Sequence, residues 1–366
     1  NLGIIFKNRD QLQKAELSIR KALKLNPHFA EAYCNLGNIL SDLGNLKEAE
    51  VSIRKAIELN PNFAEANCNL GHILSLAGES QKAESAYRQA IELQPNFAEA
   101  HENLSHLLLK QMQFKEGWEE YEWRWKVPNR KLRIGDKLAT SKPEWSPHES
   151  GRVLLWPEQG LGDQLLFLSV LPDILDKITK LILQVDERLF PLLKRSIDDK
   201  KIEFVSKDNY INEIEYDFQI PFGSLPKHVR STLKSFETSK HLKLLVNTEK
   251  SDHFRKSFLS KKYKKIVGIS WKSISTNNRD KSLSLEEFIL GIYSPEICFV
   301  CLQYGDVKEE IMYVKEKHGI HIHEVEEVDK FNNIDDLAAL VNACDEVVSI
   351  ENTTLFIAGG IGIKSY

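Results

Sequence analysis

Three prolines, Pro27, Pro61 and Pro95, stand 34 residues apart, each inside nearly the same phrase. Leu25-Asn26-Pro27-His28-Phe29-Ala30-Glu31-Ala32 returns as Leu59-Asn60-Pro61-Asn62-Phe63-Ala64-Glu65-Ala66 and again as Leu93-Gln94-Pro95-Asn96-Phe97-Ala98-Glu99-Ala100. Ser18-Ile19-Arg20-Lys21-Ala22 recurs unchanged as Ser52-Ile53-Arg54-Lys55-Ala56. A fixed period of this length leaves few folds open. One unit is too small to bury its own apolar face, so successive units must stack and share a continuous core. Small residues keep the same phase: Gly3, Gly37 and Gly71 after leucine, then Ala15, Ala49 and Ala83, then Ala22, Ala56 and Ala90. A fourth unit loses the pattern through Leu104-Ser105 and Gly117 into Trp118, Tyr121, Trp123 and Trp125.

The period and pattern resemble the tetratricopeptide repeat, a helix–turn–helix unit that stacks into a superhelix. The resemblance implies an α-solenoid over residues 1–128 that binds proteins. Asn1, Asn35, Asn69 and Asn103 share one phase on the first helix of each unit. Such a row of amides suits an extended peptide backbone, whatever its side chains. It resembles the ladder of protein O-linked N-acetylglucosamine transferases and implies a protein or peptide ligand in the groove. The plain alternative is that asparagine is a frequent consensus residue here.

Composition narrows the rest. The net charge of −4 gives no general attraction to nucleic acid or anionic membrane. No apolar run approaches the roughly 20 residues that span a bilayer. The five cysteines form no framework, which fits a reducing, cytoplasmic location. Cys298 and Cys301 spell C-x-x-C, but in a run that reads as a strand, where residues three apart face opposite sides. The eleven histidines show no metal-ligand spacing, and His321-Ile322-His323 reads as a surface strand edge. The chain starts at Asn1 without methionine and stops after a strand–helix unit, so both ends read as cut.

Residues 129–150 are polar and read as a linker packed against the next domain. Beyond them strands and helices alternate in α/β style. Strands are expected at Arg152–Trp156, Leu181–Val185, Ile202–Val205 and Tyr216–Ile220, with helices at Gln164–Leu175 and Leu189–Ser196. These define a first lobe, 151–245. A helix-leaning linker, 246–264, leads to a second lobe, 265–366. Its strands are expected at Lys265–Lys272, Ile297–Leu302 and Glu346–Ile350, and its helices at Asp336–Ala343 and Ile357–Gly362. Two facing lobes of this kind make a cleft at their sheet ends, the usual ligand site of open α/β sheets.

Trp156-Pro157-Glu158-Gln159-Gly160-Leu161-Gly162-Asp163-Gln164 resembles the E-Q-G-x-G-D signature of bacterial tetratricopeptide proteins with a heptosyltransferase-like domain. Tyr216–Pro226, Val267–Lys272, Leu302-Gln303, Asp336–Leu340 and Glu351–Gly362 match later blocks of that family in order. The resemblance implies two facing Rossmann-like lobes of GT-B type. It implies an inverting glycosyltransferase that uses a nucleotide-diphosphate sugar and neither metal nor other cofactor. Such a transfer needs a base for the acceptor's proton and positive charge or amide dipoles for the departing diphosphate. Asp163, after the two glycines, is the candidate base; the plain alternative is a helix cap. Glu158, Gln159, Gly160 and Gly162 form the acceptor-side loop. Lys272, with Trp271 before it and Arg279 and Lys281 after it, is the candidate diphosphate cation. Gln303 is a candidate nucleotide contact, the plain alternative being a bond to local backbone, and Asn352, Thr353 and Thr354 precede a helix whose first amides suit phosphate, the plain alternative being simple capping by Asn352 or Thr353.

The chain departs from the family at Phe356, where histidine is usual, and at Glu351, where aspartate is commoner. Phe356 supports a rival reading, a non-catalytic scaffold with a degenerate transferase domain. A nucleotide-dependent oxidoreductase is disfavoured, since neither lobe's first strand runs into G-x-G-x-x-G.

Overall fold

A computed structural model of the chain describes residues 11–128, 135–259, 262–273 and 282–366. The chain divides into two compact units. One is the repeat region up to Arg133 with the segment Arg230–Glu237; the other is Ile134–Val229 with Thr238–Tyr366.

The first unit is helical throughout its described length. Helices α1 (Leu12–Leu25), α2 (Ala30–Asp42), α3 (Leu46–Leu59), α4 (Ala64–Leu76), α5 (Ser80–Leu93), α6 (Ala98–Lys110) and α7 (Phe114–Tyr121) follow one another through tight turns. The repeated glycines have a steric cause. A Cβ on Gly37 would lie 2.5 Å from the Ile53 side chain, and one on Gly71 2.6 Å from the Tyr87 ring. The repeated alanines Ala15, Ala49, Ala83, Ala56 and Ala90 are fully buried in the shared core. Gly44 and Gly78 close their turns with positive φ, and Met112 holds the same place in the next turn at φ 62°. The unit ends on aromatic packing: Trp123 stacks on His101 with centroids 3.8 Å apart, and Trp118 Nε1 donates to the Arg230 carbonyl at 2.9 Å. Residues 230–237, expected within the first lobe, thus belong to the helical unit.

The second unit carries two parallel sheets. The first runs β3–β2–β1–β4, with β1 Arg152–Trp156, β2 Lys180–Val185, β3 Ile202–Ser206 and β4 Phe218–Pro221. The second runs β7–β6–β5–β8–β9, with β5 Lys265–Ser270, β6 Ile297–Cys301, β7 Ile322–His323, β8 Glu346–Ser349 and β9 Lys364–Ser365. In each, strand order reverses at the first strand, which opens a crevice at the carboxyl ends there.

The helix expected at Gln164–Leu175 is α8, Leu161–Leu168; Pro172 disfavours helical geometry just before it, and short 3₁₀ turns follow. The linker before the first lobe is built into it. Trp145 is fully buried, and its N–H donates to the Gln219 carbonyl at 2.9 Å, beside β4. The stretch between the sheets holds a real helix, Thr248–Phe258, tied to the second by Arg255 on Asp345 at 2.7 Å. Cys298 and Cys301 are free and buried, and burial pushes both thiols up to about 11. His321 and His323 sit at the edge strand β7.

Candidate functional site

Loops after β1, β2, β5, β6 and β8 converge on one cavity of about 410 Å³. From β1 come Gly160, Leu161, Gly162 and Asp163, the start of α8. From β2 comes Arg188, from β5 Ser273 and from β6 Tyr304. Glu351, Asn352 and Thr353 follow β8 and lead into the helix α9 (Thr353–Ile361), which adds Phe356. Lys330 and Phe331 close the rim ahead of the helix Ile334–Asn342. Both sheets therefore contribute their carboxyl ends, and three helices of eight, nine and nine residues begin at the wall.

Two glycines make room for this arrangement. Gly160 caps α8, and a Cβ there would stand 3.4 Å from Asp163 Oδ2, so the carboxylate leans over the bend. A Cβ on Gly162 would meet Phe356 Cδ2 at 2.9 Å and Thr353 Cα at 3.4 Å. The missing side chain lets α8 pack directly on α9. Phe356 fills that contact and faces the cavity at once.

Asp163 is half-buried in the first turn of α8, where a carboxylate is favoured by the helix dipole. It shares the cavity with Asn352 and Thr353. Asn352 caps α9: its Oδ1 accepts from the Thr354 N–H at 3.0 Å, and its Nδ2 donates to Ser270 Oγ at 2.8 Å. Thr354 is wholly buried behind it and does not line the cavity.

Lys272 and Trp271 are placed otherwise than expected. The Lys272 ammonium pairs with Glu310 and is not in the cavity wall. Trp271 is fully buried and donates to Glu310 Oε2 at 3.0 Å. One carboxylate thus takes both side chains onto the helix Lys308–His318. Gln303 is saturated. Its Oε1 accepts from Ser270 Oγ at 3.0 Å and from the amides of Trp271 and Lys272 at 2.9 and 2.8 Å, while its Nε2 donates to the carbonyls of Lys272 and Tyr304. It braces the β5 and β6 loops. Arg279, Lys281 and Asn1 lie outside the described residues.

Glu158 is buried, with Oε1 accepting from the Gly223 N–H at 2.6 Å, and so holds the β1 and β4 ends together. Gln159 lines a second cavity of about 460 Å³, confined to the first sheet and walled by Trp156, Gln184, Tyr210 and Tyr216. The glycine bend therefore separates two cavities. In the array, Asn69 Nδ2 donates to Cys34 Sγ at 3.2 Å and Asn103 Nδ2 to Cys68 Sγ at 3.6 Å; Asn35 is half-buried. Asn69 and Asn103 thus each give one amide N–H to the preceding repeat.

Among the described residues, the cations that line the cavity are Arg188 and Lys330, and sequence reasoning missed both. Arg188 Nε and Nη2 donate to the Asp186 carboxylate at 2.8 and 2.9 Å, and Nη1 donates to the Phe331 carbonyl at 3.0 Å. Lys207 also reaches Asp186, at 2.8 Å. The Arg188 guanidinium, with Lys207, holds the Asp186 carboxyl well below the usual carboxylate range despite its burial. The only signals in the sequence were an Asp-x-Arg directly after a strand and a Lys-Phe before an Asn-capped helix.

Residues 30–63 and 64–97 match the tetratricopeptide repeat. Protein FlbA of Caulobacter vibrioides is 29% identical over 266 residues, which is 68% of this chain and 44% of FlbA. The chain thus spans less than half the length of that curated relative. Among solved structures, that of MamA is 26% identical at a TM-score of 0.32, covering 35% of this chain and 75% of MamA. The first tetratricopeptide domain of Spaghetti, solved with an HSP90 peptide, is 20% identical at a TM-score of 0.29, covering 30% and 86%. No helix among the described residues is long and apolar enough to cross a membrane.

Proposed function

We propose that the α/β unit is an inverting glycosyltransferase of GT-B type, working in the cytoplasm, and that the repeat array holds its protein or peptide partner. The observation that carries this reading is the shared cavity. It brings a carboxylate at a glycine bend and the capped start of α9 to one space, at the carboxyl ends of both sheets. In the proposed step, Asp163 accepts the acceptor's O–H proton as that oxygen attacks the anomeric carbon. The bond from that carbon to the diphosphate oxygen breaks, and the leaving group departs with the electron pair. Phe331, half-exposed at the rim beside Tyr304, offers an aromatic face to a nucleobase.

Asp163→Asn tests the base. A positioned base contributes about 10²–10⁴-fold, so nucleotide release from UDP-, GDP- or ADP-sugars falls by that factor while the fold and nucleotide binding persist. A carboxylate serving only the helix start costs about 1 kcal/mol of stability and leaves turnover intact, which sinks the assignment. The scaffold reading is favoured by Phe356, an apolar ring in the wall where the resembling enzymes carry histidine. Donor binding separates the two. A sugar nucleotide at 100 times its Kd stabilises the binding fold by about 2.7 kcal/mol, and a scaffold with a degenerate site shows no shift.

A further inference from the structure

We propose that the anionic group of the cavity's ligand, a diphosphate, is clamped between Arg188 from the first sheet and Lys330 from the second, and that Lys272 takes no part. The inference rests on the transferase reading for its ligand class, and on geometry for its residues. Arg188 follows β2 and Lys330 follows β7, so the pair reaches the cavity from both sheets. Arg188 is fixed before any ligand arrives. Three of its N–H groups are committed to Asp186 and the Phe331 carbonyl. A guanidinium carries five, so two remain for phosphate oxygens. The Asp186 carboxylate does not cancel it, because Lys207 shares the same carboxylate and the trio keeps a net positive charge.

Lys330 is half-buried and makes no ion pair among the described residues. It is therefore a cation without a committed partner, at a wall where Asp163 and Glu351 already supply negative charge. A diphosphate entering that space requires compensation, and these two side chains are the described cations that reach it. Lys272 is excluded by its contact with Glu310 and its absence from the wall. Arg188 also lies over Phe331, 5.1 Å from guanidinium carbon to ring centroid. A nucleobase on the free face of that ring would place its diphosphate within reach of the same guanidinium.

The test is calorimetry on the intact chain with inorganic pyrophosphate, UDP, GDP and ADP. Lys330→Gln is expected to weaken the tightest of these about tenfold or more, the usual loss for one charged hydrogen bond. Arg188→Lys, which keeps the charge on Asp186 but loses the fork, should weaken it by a similar factor, with the melting temperature showing that the fold stands. Lys272→Gln should bind as the native chain does. Equal affinity in Lys330→Gln and the native protein overturns the clamp, as does a loss confined to Lys272→Gln. No binding of any of the four probes by the native chain overturns it too. The outcomes also separate this claim from the transferase. Pyrophosphate binding that depends on Lys330, with no sugar nucleotide consumed, keeps the clamp and removes the enzyme. Sugar transfer that is indifferent to Lys330 does the reverse.

Discussion

Gly162→Ala probes the contact on which the cavity depends. The added methyl would sit 2.9 Å from Phe356 Cδ2, 3.2 Å from Cε2 and 3.4 Å from Thr353 Cα. Carbon atoms prefer about 3.5–4.0 Å, so the ring must yield by more than half an ångström and the backbone by a little. Overpacking of this kind costs about 1–3 kcal/mol. Alanine returns up to about 1 kcal/mol by helix propensity, less in a first turn. The net is a destabilisation of about 1–2 kcal/mol, localised where α8 meets α9. With two units in the chain, global unfolding is not a clean reporter, whereas hydrogen exchange by mass spectrometry resolves segments. Peptides spanning 161–168 and 353–361 should lose protection by roughly 5–30-fold. Phe356→Ala removes the obstructing ring, so Gly162→Ala in that background should cost about 1 kcal/mol less. That coupling is the signature. If the alanine costs the same with and without the Phe356 ring, the steric reading of Gly162 is wrong.

Two further predictions concern the frame. Arg152 beside Asp217 holds its carboxyl down to about 2, through bonds at 2.8 and 3.1 Å that tie β1 to the start of β4. The folded value lies below the unfolded one of about 3.9, so the stabilisation is full above about pH 4 and is lost as pH falls toward 2. The gap in unfolding midpoint between the native chain and Asp217→Asn should therefore narrow between pH 5 and pH 2.5; a constant gap refutes the pairing. Met112, 62% exposed at φ 62°, occupies the turn position held by Gly44 and Gly78. A left-handed L-residue costs about 1–2 kcal/mol, and glycine's chain entropy takes back about 0.5–1. Met112→Gly should raise the midpoint of the repeat unit by a few degrees, and a lower midpoint contradicts the argument.

Much of the frame was legible because its causes are local. Gly37 and Gly71 recur at a fixed phase because a side chain there would strike Ile53 or Tyr87. The β1, β2, β5 and β6 runs read clearly because parallel strands are buried on both faces and stay apolar throughout. The glycine bend was legible for the same reason: Gly160, Gly162 and Asp163 are neighbours in sequence and share one cavity wall. It was not legible at Lys272. Whether that ammonium turns to a ligand or to Glu310 is decided by a helix 38 residues further on, which no local pattern reveals. Arg188 and Lys330 are two of 49 basic residues in ordinary loops, and only the crossover topology brings them to one wall.

Phe356 joins the two readings of the cavity. In the proposed transfer, a histidine at that place would bring a donor and a titratable charge to the space where the leaving group is neutralised. This chain has instead an apolar ring, and Gly162 accommodates it against α8. The exchange removes a polar contact from the α9 wall and adds packing between the two sheets' helices. Neutralisation must then come from elsewhere in the cavity if the chemistry is retained. Arg188, held in place by Asp186, and Lys330, which makes no ion pair among the described residues, supply charge from two other loops. The loss at Phe356 therefore counts against catalysis only to the extent that those two side chains fail to hold a diphosphate.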